Sequence, residues 1–308
     1  MQTKSGNLTL GQREWDACKQ LKTNVQDLLP FQDKNKVSDT DLLFRFLIAR
    51  DFDLKASEEM VRGYVQWRKE WDVENIEDVV WPPLLPVNGT FTGFHGLDKN
   101  GCPIYWERLN VSGINWFMAN MEPNHIMKWH LYIMEKGREL CNIVGADRMT
   151  VVSDCSEIGV SMMANLSAMN FCKEVFAVDQ LRYPEFMSRA FLINAPWGFS
   201  SVWNWVKMLL HQNVSSKIAV HGTSFLKDMT AFIDASSIPS DFGGQGEALV
   251  RTPVTQEDWD EFKQRYQKYK AVGKADEADC KADEADCKAD GADCKADEAD
   301  CKADEADC

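Results

Sequence analysis

Five histidines, ten cysteines and 48 acidic residues are the chain's raw material for chemistry, and their spacing decides what chemistry they could support. The histidines stand at 95, 125, 130, 211 and 221. His125 and His130 are five residues apart, so a helix turns them to different faces and they form no two-histidine metal site. Cys18, Cys102, Cys141, Cys155 and Cys172 contain no C-x-x-C pair, which argues against a zinc knuckle or a redox motif. Ser153, Asp154 and His221 could be drawn into a Ser–His–Asp triad, but no G-x-S-x-G elbow accompanies them. A phosphate-binding G-x-x-x-x-G-K-[ST] loop and an H-E-x-x-H helix are absent too, and Phe242-Gly-Gly-Gln-Gly246 lacks dinucleotide spacing. The expectation is a protein with no catalytic residues, no metal and no cofactor. Its 11 Trp, 16 Phe and 13 Met favour binding an apolar molecule over converting one.

The elements that would position such a ligand centre on 183–210. Tyr183-Pro184 is a turn signal, Phe191-Leu192-Ile193 a short buried strand, and Asn194-Ala195-Pro196-Trp197-Gly198 a break. Ser200 or Ser201 is placed to cap a helix in which Phe199, Val202, Trp203, Val206, Leu209 and Leu210 recur at helical spacing. Taken alone, that helix reads as an ordinary amphipathic element packed on its sheet. Upstream, 10–80 reads as helices, one carrying Leu42, Leu43, Phe46 and Leu47 behind an Asp39 or Thr40 cap and including Arg45 and Arg50, the next running from Lys55 to Trp71. From Phe91 the pattern changes. Asp98-Lys-Asn-Gly101 reads as a hairpin turn, a long helix opens at Glu122-Pro123, and 148–154 and 216–221 are strands. Phe171 to Leu181 and Phe225 to Ile233 are predicted as helices, and strands alternating with helices over 90–245 imply an α/β layer on a mostly parallel sheet.

Residues 255–269 form a charged helix capped by Thr255, and 274–308 are five copies of KADEADC with Gly291 in the third. This tail holds five Lys and fourteen acids, so it carries −9 of the net charge of −14. Its alanines sit at heptad spacing but bury little, and its acids repel, which favours disorder over a coiled coil. No basic face exists to neutralise phosphates, which excludes nucleic acid. No run approaches the ~18 apolar residues of a membrane span, and the start of the chain lacks an apolar signal segment. The expected setting is cytoplasmic, with peripheral membrane contact.

In order along the chain, Leu42-Leu43-Phe44-Arg45-Phe46-Leu47-Ile48-Ala49-Arg50-Asp51-Phe52-Asp53, Trp67-Arg68-Lys69, Asp98-Lys-Asn-Gly101-Cys-Pro103-Ile-Tyr105, Tyr183-Pro184-Glu185, Ile193-Asn194-Ala195-Pro196, Ser216-Lys217-Ile218 and Ile238-Pro239 with Phe242-Gly243-Gly244 resemble the CRAL-TRIO lipid-transfer family. The resemblance spans about 38–246. It implies an N-terminal all-helical lobe (1–85), a CRAL-TRIO lipid-binding lobe (86–247) with a mostly parallel sheet floor and covering helices, a helical extension (248–273) and the repeat tail (274–308). It makes the 199–210 helix a gate, with Val202, Trp203, Val206, Leu209 and Leu210 over the ligand and Gly243-Gly244 as a distal hinge. It places Tyr105, Tyr132, Ser153, Phe176 and Phe199 on the apolar pocket wall, and Arg50, Glu185, Lys217 and Ser161 at the lipid headgroup. At Asp51, Phe186 and Val214 the chain departs from the phosphatidylinositol-binding pattern, which has basic residues at the first two and Thr at the third. Arg50 could instead pair with Asp51 or Asp53. The implied function is non-enzymatic exchange of one phospholipid or other hydrophobic molecule with membranes, with the bound lipid as ligand and phosphatidylinositol one choice. The alternative is a protein-interaction scaffold with a degenerate pocket, binding a small GTPase or its regulator as protein partner.

Overall fold

The computed structural model describes residues 11–33, 35, 37–82, 85, 89, 91–159 and 165–269. The predicted tail at 274–308 and Ser161 lie outside the described residues. The residues up to Tyr266 form the first compact unit.

Three helices open the first unit: α1 (Gln12–Asn24), α2 (Asp39–Ile48) and α3 (Leu54–Glu70). Ser38 caps α2, its hydroxyl accepting from the Asp41 amide at 3.1 Å, one residue before the predicted caps. Arg50 consequently falls beyond the end of α2, not within it. Asp53 caps α3, accepting from the Ala56 amide at 2.9 Å. The stripe predicted from sequence is the one that buries: Leu43, Phe46 and Leu47 meet Leu21, Val61 and Tyr64. Each such side chain contributes about 1.5–3 kcal/mol.

The sheet comes next: β1 (Phe91–Leu97), β2 (Pro103–Arg108), β3 (Met149–Asp154), β4 (Met187–Ile193) and β5 (Ile218–Val220), in that spatial order. β1 and β2 form the expected hairpin, with Asp98 Oδ1 accepting from the Asn100 and Cys102 amides at 2.9 Å. All later pairs are parallel. Parallel strands need crossovers. Those segments supply α4 (Val111–Asn120) and α5 (Pro123–Val144) before β3, α6 (Leu166–Arg182) before β4, and α7 (Phe199–Leu209) with the short α8 (Gln212–Ser215) before β5. α9 (Leu226–Met229) comes after β5, and a helix starts at 256 behind Thr255, which accepts from the Asp258 amide at 3.2 Å.

Four local expectations change. Val111–Asn120 is a helix that sequence periodicity does not reveal, because its apolar residues show little facial contrast and Gly113 interrupts them. α7 starts at Phe199 behind Gly198, whose φ of 87° ends the preceding loop, so no serine side chain caps it. β5 is shorter than 216–221, since β4 offers it only Ala190–Leu192 as partners. Within 225–233 only one turn, Leu226–Met229, is α-helical.

The strands' two faces are filled unequally. On one, Ile104, Trp106, Val152, Phe191 and Ile193 are sealed at 0–1% exposure beneath Met229, Ile233, Ile238 and Phe242. A Cβ on Gly244 would fall 2.1 Å from the Ile238 carbonyl oxygen, so glycine is required there for close packing. By the period-two rule the opposite face carries Tyr105, Glu107, Val151, Ser153 and Leu192, of which Glu107, Val151 and Leu192 are only half-buried.

Candidate functional site

That incompletely filled face looks onto α6 and α7. α6 packs against α3, α4, α5 and α7. It carries Phe171, Val175, Phe176 and Val178, yet only Ala168 and Met169 of its 17 residues are buried. A helix docked on solid core would bury those apolar positions. α7 behaves similarly. Phe199 and Val202 are buried beside Cys155 and Ile158, and Leu109, Ile114, Leu192, Trp203 and Val206 pack against that cluster while only partly buried themselves. Leu209 and Leu210 are half-buried.

Sequence-predicted wall residues separate into two settings. Tyr105 and Ser153 lie on the open face, Tyr105 against Phe94 with ring centroids 5.2 Å apart, Phe199 is buried in the cluster that Leu192 packs against, and Phe176 is half-buried on α6. Tyr132 is held elsewhere: its hydroxyl donates to the Pro253 carbonyl at 2.8 Å, and its ring stacks on Trp129 at 5.4 Å. Burial pushes the Cys155 thiol up to about 12 and the Cys18 thiol up to about 11, so neither is a nucleophile at neutral pH.

Polar groups also reach the open face. Ser153 and Glu107 are register partners on β3 and β2, and the Ser153 hydroxyl donates to Glu107 Oε1 at 2.5 Å. Burial raises the Glu107 pKa, an effect that the Ser153 bond only partly offsets. From α5, His130 Nε2 meets Asp179 Oδ1 of α6 at 2.7 Å. Burial disfavours charge on this imidazole, but Asp179 and then Glu107 outweigh it, and the His130 pKa is raised. The charged pair is therefore complete below the ordinary histidine value of about 6.5 and is lost as pH rises through the higher folded value. Amide hydrogen exchange in α6 should accordingly accelerate as pH rises above the ordinary histidine value, beyond its intrinsic base catalysis, and Asp179→Asn should remove that excess. An unchanged pH profile in the variant would refute the coupling.

Two of the four headgroup candidates, Glu185 and Lys217, meet at the junction of α6 and β4. Glu185, at φ 54°, is the hub: Lys217 Nζ donates to its Oε2 at 2.8 Å, and an Arg148 guanidinium nitrogen lies 3.7 Å from the same oxygen. Arg45 holds its backbone, donating to the Glu185 carbonyl at 2.8 Å. Sequence reasoning missed Arg148 and Arg45; only register brings Arg148, at the foot of β3, beside the turn before β4. Thus Lys217 and Glu185 are brought together. Arg50 is not: it donates to the Ala49 carbonyl at 2.8 Å and makes no ion pair among the described residues.

No helix among the described residues is long and apolar enough to cross a membrane, and no group of three or more His, Cys, Asp or Glu among them could hold a metal ion. The sequence profile of the CRAL/TRIO domain matches residues 88–244. The phosphatidylinositol/phosphatidylcholine transfer protein SFH7 of Arabidopsis thaliana is 32% identical over 229 residues, covering 71% of this chain and 41% of that protein. The SEC14 cytosolic factor of Kluyveromyces lactis is 30% identical over 224 residues, covering 70% of this chain and 73% of that protein. The chain thus spans less than half the length of the plant relative. The crystal structure of Sfh5 superposes with a TM-score of 0.60 over 88% of this chain and 100% of that one, at 17% identity, a likeness of fold.

Proposed function

The chain belongs to the CRAL/TRIO domain family, and from that premise we propose that it is a non-enzymatic lipid carrier that exchanges one amphipathic molecule with membranes. The observation that supports this most is the unequal filling of the sheet: one face sealed, the other half-open beneath apolar α6 and α7. In this reading α7 is the gate, with Trp203, Val206 and Leu209 over the acyl chains. The working location is cytoplasmic and peripheral to membranes. The names of its relatives support phosphatidylinositol and phosphatidylcholine as first ligands to test.

For an inositol phosphate, the junction around Glu185 supplies the cations. Arg148 compensates for the basic residues absent at 51 and 186, and with Lys217 it would grip the phosphate once Glu185 turns to the inositol hydroxyls. Charge-assisted hydrogen bonds contribute about 1.5–3 kcal/mol each. Lys217→Ala with Arg148→Ala should therefore weaken phosphatidylinositol transfer between vesicles by more than about tenfold while leaving phosphatidylcholine transfer near wild type. Equal loss of both would refute the headgroup assignment. Native mass spectrometry after membrane incubation tests the carrier reading itself: a one-to-one lipid adduct is expected, and its repeated absence would leave the scaffold alternative.

A further inference from the structure

Behind the turn that presents Glu185, the helices α2, α3 and α5 and the end of α6 leave a cavity of about 40 Å³. A single water needs only about 10–15 Å³, so the space is large enough for a small ion. Among the described residues Arg45, Arg138 and Arg182 line it, and Asp147 is the acid beside them. Arg138 has carboxylates to meet it, Glu135 at 3.1 Å and Asp33. The other two arginines are held differently. Arg45 donates to the backbone carbonyls of Glu185 and Asp147, and to no side chain among the described residues. Burial lowers its pKa, Arg138 and Arg148 lower it further, and the charge of Asp147 offsets only part. Arg182 donates to no acceptor among the described residues and rests over the Trp67 ring, 5.7 Å from its centroid.

Two further details concern the same space. Tyr64, 1% exposed, lines it, and its hydroxyl accepts from Arg68 at 3.3 Å while donating to nothing among the described residues. Gly63, its neighbour on α3, gives Arg182 room: a Cβ there would lie 2.9 Å from an Arg182 Nη atom. Glycine is unfavourable inside a helix relative to alanine, and what it provides here is space for a guanidinium. Unused donors around a cavity, with cations held by neutral groups, select an occupant that accepts hydrogen bonds and carries negative charge. A cation would be repelled. An alkyl group would leave the donors unsatisfied, and water would leave the charge uncompensated. A phosphate presents oxygen acceptors in several directions at once and matches the guanidinium fork.

We propose that Arg45, Arg182 and Tyr64 form a site for one free phosphate ion, where the N-terminal helices meet α5 and the end of α6. A phosphorylated lipid headgroup has the same chemistry. Glu185, Lys217 and Arg148 do not line this cavity, however, so it is separate from the cationic junction and the free ion is its occupant. Bound there, the ion would fix Arg45 and, through it, the Glu185 carbonyl. The site stands independently of the carrier reading.

The test follows the denaturation midpoint of the full chain as sodium phosphate replaces sodium chloride at constant ionic strength. A bound ion raises the midpoint along a saturating curve. General exclusion of phosphate from protein surfaces raises it without saturation, and equally in every variant. Wild type should show the saturating part. Arg182→Gln should shift its half-saturation at least tenfold to higher phosphate, the loss of one charge-assisted hydrogen bond. Gly63→Ala displaces that guanidinium without removing its charge, and decides the matter should the first variant fold poorly. It should weaken the phosphate response while leaving the midpoint in chloride no lower than wild type. If wild type shows no saturating rise, or if either variant keeps the wild-type curve, the phosphate site is wrong. A rise produced by phosphatidylcholine vesicles containing phosphatidylinositol monophosphate, with none from free phosphate, would assign the cavity to a headgroup and overturn the proposal equally.

Discussion

Glu135→Ala should lower the unfolding free energy by about 3–5 kcal/mol, the cost of leaving a buried cation without its partner. Few other single substitutions should cost as much. The Glu135 carboxylate, 8% exposed, accepts from Arg68 of α3 at 3.0 Å, from Arg138 one turn further along α5 at 3.1 Å, from Tyr183 at the end of α6 at 2.9 Å and from Asn35 at 2.7 Å. One carboxylate on α5 thus ties α3 of the N-terminal helices to the end of α6. Burial opposes its charge, but Arg138 and Arg68 prevail and hold its pKa at about 2. A pKa depressed below the ordinary glutamate value of about 4.3 contributes stability that is complete above that value and disappears as pH falls through about 2. Wild type should accordingly lose denaturation midpoint between pH 5 and pH 2, and Glu135→Ala should show a shallower acid loss. The exposed pair of Lys19 with Asp16, 3.4 Å apart, is the control: Asp16→Ala should leave the midpoint nearly unchanged. A Glu135→Ala midpoint equal to that control would refute the account.

This contrast also bears on what the sequence could reveal. Helical stripes such as Leu43, Phe46 and Leu47, the hairpin at Asp98 and the alternation of strand and helix after residue 90 were legible because burial imposes a period that residue types record. Glu135 left no such trace. A buried acid within Met-Glu-Lys-Gly-Arg resembles any solvated helix face until tertiary structure brings Arg68 and Tyr183 to it. Arg148 was hidden likewise, since its approach to Glu185 depends on where β3 ends relative to the turn before β4. The interior polar pairs obey the same logic. Ser153 was anticipated as a wall residue, but Glu107 becomes its partner only through the parallel register of β2 and β3. Local signals set the elements. The site's electrostatics come from register and crossover, which are non-local.

Trp197→Ala combined with Met208→Ala should weaken binding to phospholipid vesicles by about 30- to 150-fold without lowering the denaturation midpoint. Trp197 is fully exposed and Met208 is 76% exposed, at the two ends of the proposed gate. Neither supports the fold, so an aromatic and a thioether left in water suggest a role outside it. Their surroundings suit a membrane. In a chain with 48 acids, residues 186–227 contain none, and they carry Arg189, Lys207, Lys217 and Lys227. The exposed side of α7 offers Ser200, Ser201, Asn204 and Lys207 beside Met208. A helix of this kind can settle at the interface with its apolar ends inserted, each contributing about 1–1.5 kcal/mol when partly buried, less than the 1.5–3 kcal/mol of full burial. Anionic lipid should add a smaller increment through Lys207, one that disappears as salt is raised. Vesicle pelleting with neutral and with phosphatidylserine-containing membranes separates the two contributions. The double variant should lose binding to both, whereas Lys207→Gln should lose only the salt-sensitive part. If the double variant pellets like wild type, α7 does not meet the membrane through these residues, and the gate must open without it.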